Sequence, residues 1–259
     1  MLAARVADNL ITWDSQYKTM DRRGYLLFGA AVVCAGLTSG FREFEVSGLV
    51  GRTRDTSGLL SIVELDDRER PYFDADPATF SGTGDGSVEF GSDGGFTMVL
   101  ASHEGDGPLS LTAGGNRGSE PETIIETAGP GASLTGVGMA ATSYTLAVTG
   151  SSSWELTLAQ PSSPAEEVRE PPARAAGTGE AIVGPVDTTD GARVRAIHEG
   201  DGPFAASLFL EASTGVFDPD VLFETTGPID DAASTSVAGV AWAVVRTAGS
   251  WALEFDVPR

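Results

Sequence analysis

The chain has two histidines, and they stand in identical surroundings. His103-Glu104-Gly105-Asp106-Gly107-Pro108 recurs as His198-Glu199-Gly200-Asp201-Gly202-Pro203, 95 residues later. Carboxylates beside an imidazole in a short glycine loop raise three kinds of chemistry. The first is cation binding: Glu104, Asp106, Glu199 and Asp201 are hard oxygen donors in tight turns and are candidate Ca²⁺ ligands. Against this, the repeating Asp-x-Asp-x-Asp-Gly spacing is missing, and Asp-Gly is also ordinary turn chemistry in which glycine supplies a positive φ. The second is acid–base catalysis, for which Glu104/Asp106 or Asp74/Asp76 would be the pairs in a hydrolase. The third is a nucleophilic triad, but no Gly-x-Ser-x-Gly elbow is present. Counting back by twos from each histidine gives Ala101 and Val99, and Ala196 and Val194. Each imidazole thus closes the apolar face of a strand, where it is expected to cap a core and bond a loop carbonyl.

Other candidates resolve the same way. Trp154, Trp251, Trp242 and Tyr144 would suit a sugar-stacking platform, but their period-two placement on apolar runs assigns them to the core. Gly136-Val137-Gly138-Met139-Ala140-Ala141 superficially fits a dinucleotide fingerprint, yet a strand follows it where a helix is needed. Lys18 is the only lysine, so no phosphate-loop or Schiff-base lysine lies downstream of it. The one cysteine, Cys34, excludes an intrachain disulfide and a cysteine-built metal site. No catalytic constellation and no cofactor are expected, with Ca²⁺ the single metal the turns suggest.

The elements that position these residues have period two. Trp154, Leu156 and Leu158 alternate with Glu155 and Thr157; Trp251, Leu253, Phe255 and Val257 alternate with Glu254 and Asp256. The turns Gly150-Ser151-Ser152 and Ala248-Gly249 close hairpins onto Tyr144–Val148 and Trp242–Val244. About seven short runs per copy and no convincing helix predict an all-β protein. Its expected form is two tandem β-sandwich, jelly-roll-like domains after an N-terminal signal or anchor segment. The duplication rests on four landmarks in one order. Besides the histidine motif, Gly82-Thr83-Gly84-Asp85 matches Gly177-Thr178-Gly179-Glu180, Glu126-Thr127-Ala128-Gly129-Pro130 matches Glu224-Thr225-Thr226-Gly227-Pro228, and Ser153-Trp154 matches Ser250-Trp251. Copy 1 is assigned to 76–160 and copy 2 to 176–259. The Pro/Glu/Ala-rich stretch 161–175 reads as a semi-rigid linker, and 41–75 as a small N-terminal β element.

The N-terminal region supplies an address. Asp21-Arg22-Arg23-Gly24-Tyr25-Leu26-Leu27-Phe28 resembles a twin-arginine export signal, and a short apolar run to Leu37 is followed by small residues. Segment 20–40 is therefore read as a twin-arginine signal or anchor, with translation starting at Met20 and 1–19 a mis-assigned start. The run is short for a membrane-spanning helix. Cys34 is a lipidation candidate, although Val33 before it is bulky; simple cleavage fits better. The expected location is secreted or on the cell surface, with any membrane anchoring through this segment only.

Composition completes the picture. The 259 residues carry 37 acids against 16 bases, a formal net charge of −21. Such acidity excludes nucleic acid and anionic membrane surfaces as partners. Near absence of lysine with many acids resembles proteins of extremely halophilic archaea. The Gly-Thr-Gly-Asp/Glu, His-Glu-Gly-Asp-Gly and Ser-Trp landmarks together resemble small β-sandwich modules of exported proteins, of the pre-peptidase C-terminal type. Arg246, where an apolar strand residue is expected, departs from the pattern in the second copy. The resemblance implies an exported sandwich and little chemistry. The expected function is a non-enzymatic secreted or surface protein with a structural, adhesion or ligand-binding role; a secreted carbohydrate-active or other hydrolase using acidic residues is the alternative.

Overall fold

The computed structural model describes residues 61–62, 77–115, 121–212 and 219–258. Arg22, Arg23, Cys34, Asp74 and Asp76, with segments 1–19 and 20–40, lie outside the described residues. Of the 41–75 element, only Ser61 and Ile62 are described. They form a two-residue strand, β1.

Everything else regular is strand, and there is no helix among the described residues. The first half contains β2 (Ala78–Thr83), β3 (Gly86–Ser92), β4 (Gly95–His103), β5 (Leu109–Gly115), β6 (Glu122–Thr127), β7 (Gly131–Met139), β8 (Thr142–Gly150) and β9 (Ser153–Ala159). The second contains β10 (Ala173–Thr178), β11 (Ala181–Asp187), β12 (Ala192–His198), β13 (Pro203–Leu210), β14 (Asp220–Thr226), β15 (Ile229–Thr235), β16 (Val240–Thr247) and β17 (Ser250–Asp256). Among the described residues each half thus shows eight strands, one more than the runs counted in sequence. The sheets are β2-β9-β4-β7 with β3-β8-β5-β6, and β10-β17-β12-β15 with β11-β16-β13-β14. Numbered within a half, both read 1-8-3-6 and 2-7-4-5, the antiparallel double Greek key of a jelly roll. β1 adds to the free edge of β11, Ser61 opposite Gly184 and Ile62 opposite Val183.

Alternation builds a core inside each half. Val99, Ala101, Leu109, Leu111, Leu146, Leu156 and Leu158 fill the first; Val183, Val194, Phe204, Leu208, Val245, Leu253 and Phe255 fill the second. The Gly-Thr-Gly and Ser-Trp landmarks turn out to be one device. Trp154 Nε1 donates to the Gly84 carbonyl at 2.8 Å, and Trp251 Nε1 to the Gly179 carbonyl at 2.9 Å. A Cβ on Gly82 or Gly177 would run into the respective indole ring. The first glycine makes room for the tryptophan, and the second takes a positive φ and offers its carbonyl. This satisfies a buried indole N–H that would otherwise be costly.

A third core lies between the halves. Phe96, Met98 and Ala159 from the outer face of β4 and β9 pack with Ile182, Phe209, Trp242 and Val244 from the outer face of β11, β13 and β16. Phe96 sits 5.1 Å from Phe209 and 6.2 Å from Trp242, centroid to centroid. Gly136 lets the faces close, since a Cβ there would meet both Phe96 and Val244. Trp242 therefore belongs to this seam rather than to a sandwich interior. The halves share a buried apolar layer in addition to the stretch 161–172, and the sheets stack four deep.

Polar ties frame the seam. The Phe96 N–H donates to the Glu211 carbonyl at 3.1 Å. The Glu211 carboxylate accepts the Trp242 indole N–H at 2.8 Å, the Ser163 N–H at 2.8 Å, and the Ser163 hydroxyl. Arg169 bridges the β11 edge, donating to the Pro185 carbonyl and accepting from the Asp187 N–H. β1 and Arg169 together cover an edge that would otherwise be open to further pairing.

Candidate functional site

The histidine loops connect β4 to β5 and β12 to β13. His103 is 5 % exposed and His198 1 %, and both cap cores as the alternation predicts. His198 Nδ1 donates to the Gly227 carbonyl at 3.0 Å, and its Nε2 lies 3.0 Å from the Thr247 hydroxyl. Thr247 Oγ1 already accepts the Gly249 N–H, so the hydroxyl proton is the one directed at Nε2. Phe204 stacks on the ring at 5.0 Å. Glycines 200 and 249 press so closely that a Cβ on either would strike the imidazole. His103 departs from the expected carbonyl bond: its Nε2 meets the Thr127 hydroxyl at 2.8 Å. Both histidines are structural pins that hold turn to turn.

Glu104, Asp106, Glu199 and Asp201 are all exposed, in two separate turns, one in each half. Among the described residues no group of three or more His, Cys, Asp or Glu forms a cluster suited to a metal ion. Trp154 and Trp251 are core, as their spacing indicates, and Tyr144 is half-buried, its hydroxyl accepting the Ala140 N–H at 2.9 Å.

The outer faces carry the clearest difference between the copies. At the 95-residue offset of the histidine motif, seam residues Met98 and Leu100 correspond to Arg193 and Arg195. At the 97-residue offset of the Ser-Trp motif, Ala159 corresponds to Asp256. Arg195 is bonded to Asp230 at 2.8 Å and Glu254 at 3.1 Å. These contacts raise the Arg195 pKa above its ordinary value, and the same guanidinium lowers that of Asp230. Conversely, seam residues Ile182, Trp242 and Val244 correspond to Ser87, Thr145 and Ala147 on an outer face of the first half, where all three are exposed. Identical frameworks have become apolar where they meet and polar where they end.

One groove opens where the seam stops. It has a volume of about 670 Å³ and is lined by Glu180, Pro203, Ala205, Glu224, Thr226 and Arg246, among others. Ala205 lies opposite both Glu224 and Arg246 in the strand register. Arg246 is therefore not a misplaced core residue: Val245 and Thr247 are buried, and Arg246 points outward from β16. The pairing of Ala181 with Val245 brings Glu180 level with Arg246. Glu180 instead turns to the first half, accepting the Ser133 hydroxyl and the Leu134 N–H, both at 3.0 Å. Among the described residues, no ion pair joins Arg246 to Glu180 or Glu224. Sequence reading flagged Arg246 but missed the groove, because no pattern in either copy alone reveals that a neighbouring half draws Glu180 away.

No family model matches the chain, and no curated protein matches it. Among solved structures the chain is similar to PBSX exported protein XepA, at 13% identity over 78% of this chain and 87% of that one, with a TM-score of 0.24. It is also similar to allantoicase, at 9% identity over 75% and 83%, TM-score 0.24. A cupin 2 conserved barrel domain protein from Leptotrichia buccalis matches at 14% identity over 70% and 82%, TM-score 0.22. Likenesses at this level speak to neither activity nor location.

Proposed function

We propose that this is a non-enzymatic secreted or cell-surface protein of a halophilic archaeon, exported by the twin-arginine route through Arg22 and Arg23. Its paired jelly rolls serve a structural, adhesion or ligand-binding role. The observation that supports it best is the division of the outer faces: large and apolar at the seam, charged, hydroxylated or small at the two ends. That pattern suits a rigid two-module body. The halophilic reading draws on the first half, where residues 77–115 and 121–160 hold eight acids and no lysine or arginine. All eight acids are exposed, an arrangement that high salt screens. The pre-peptidase C-terminal likeness remains part of this reading, as a description of the modules.

Cell fractionation with mass spectrometry of the mature N-terminus tests it. Recovery outside the membrane, with retention inside after Arg22→Lys plus Arg23→Lys, is the expected result. Equal recovery inside the cell with both arginines intact would sink the export reading. Turnover of glycoside, ester or peptide substrates by the exported material would sink the non-enzymatic one.

A further inference from the structure

We propose that the groove at the end of the seam binds a small zwitterion bearing one carboxylate and one ammonium group, of which a free amino acid is the simplest. Arg246 takes the carboxylate, Glu224 takes the ammonium, and Ala205 forms the floor between them. The inference rests on the ligand-binding role within the reading above and names its ligand.

Strand register sets the geometry of the groove. Glu224, Ala205 and Arg246 form one row across β14, β13 and β16. Strands lie about 4.8 Å apart, so the outer two backbones are roughly 10 Å apart. Ala205 projects only a methyl group, which leaves a notch flanked by opposite charges. The flanking side chains are long enough to close on one molecule of amino-acid size. Glu180, the residue level with Arg246, is committed to Ser133 and Leu134 of the first half. The seam therefore draws away the acid that would otherwise neutralise the guanidinium. Thr226 adds a hydroxyl at the rim.

The duplicate provides an internal contrast. The matching positions in the first half are Glu126, Ser110, Thr149 and Asp85. That row has no cation, and Asp85 there accepts the Gly150 N–H at 3.0 Å. The charge pair across a small floor is thus a property of one copy only. Arg195, on β12, differs from Arg246, since it is held between Asp230 and Glu254. Two acids at the rim disfavour ligands with a net negative charge, and a lone guanidinium disfavours purely cationic ones.

Amide NMR titration of the full chain, in salt that preserves its β-type circular dichroism, tests the proposal. The probes are L-alanine, propionate, ethylamine and trialanine. L-alanine is expected to shift the amides of Ala205, Glu224 and Arg246, with propionate and ethylamine each binding about threefold more weakly, the scale of one screened ion pair. Arg246→Gln and Glu224→Gln should each lower alanine affinity by a similar factor, whereas Glu89→Gln on the first half leaves it unchanged. Alanine binding with trialanine silent identifies a free amino acid as ligand; equal binding of trialanine identifies peptide ends. Both support the site. No shift with any probe, or alanine affinity unaltered in Arg246→Gln, overturns it. Because binding is read on purified protein, it succeeds or fails independently of export.

Discussion

At Glu211 one carboxylate gathers donors from two separate elements, Trp242 on β16 and Ser163 in the stretch between the halves. Replacing it by Ala removes the carboxylate that accepts the buried Trp242 indole N–H and releases the Ser163 stretch. A loss of about 1–3 kcal/mol is expected in urea denaturation. Thr97 presents the opposite case. It is fully buried, and its hydroxyl has no hydrogen-bond partner. Thr97→Val removes that polar atom at nearly constant shape, so equal or greater stability is expected by thermal melting. Asp230 gives a pH prediction. Its pKa is lowered by the hydrogen bond from Arg195, so its contribution is present at neutral pH and disappears as pH falls below about 4, through the depressed value. Arg195→Gln should therefore flatten the acid limb of a stability–pH curve without altering the neutral-to-alkaline limb. Much at this scale was legible. The two histidines, Trp154 and Trp251 announced their burial through alternation. Glu211 did not, because its partners come from 31 and 48 residues away and no local pattern encodes such a meeting.

Strand β4 shows what alternation misses. Its sequence Gly-Phe-Thr-Met-Val-Leu-Ala-Ser-His carries buried apolar residues on both faces: Val99 and Ala101 in the first sandwich, Phe96 and Met98 in the seam. Continuous apolar runs mark strands covered on two sides, and β11, β13 and β16 carry the same signal. Read only for period two, these runs gave the sandwiches and their hairpins correctly but not the layer between them. The seam has a direct test at this scale. Met98→Arg places on β4 the residue type that its counterpart, Arg193, has on the exposed face. The seam should open while each half keeps its own core, so calorimetry should resolve two transitions where the parent shows one. A single transition at the parental temperature would count against a coupled pair.

For the whole molecule, the governing quantity is charge. A chain at −21 repels itself, and the Debye length grows from about 3 Å at 1 M to about 10 Å at 0.1 M salt. Dilution from molar NaCl to about 0.1 M is expected to abolish the β-type circular dichroism. Retained structure in dilute buffer would remove the salt-adapted reading. The duplicated jelly roll itself was readable from four landmarks, since glycine turns and tryptophan clips depend on nearby spacing. How the two copies stack depends on side chains far apart in sequence, and so it became visible only in three dimensions.

The two-residue strand β1 has a mechanical consequence. It enters from the N-terminal side yet is fastened to Val183 and Gly184 in the second half. A pull on the chain upstream of Ser61 is therefore met first by that short clasp. The first jelly roll lies slack, outside the line of force, until the clasp peels away.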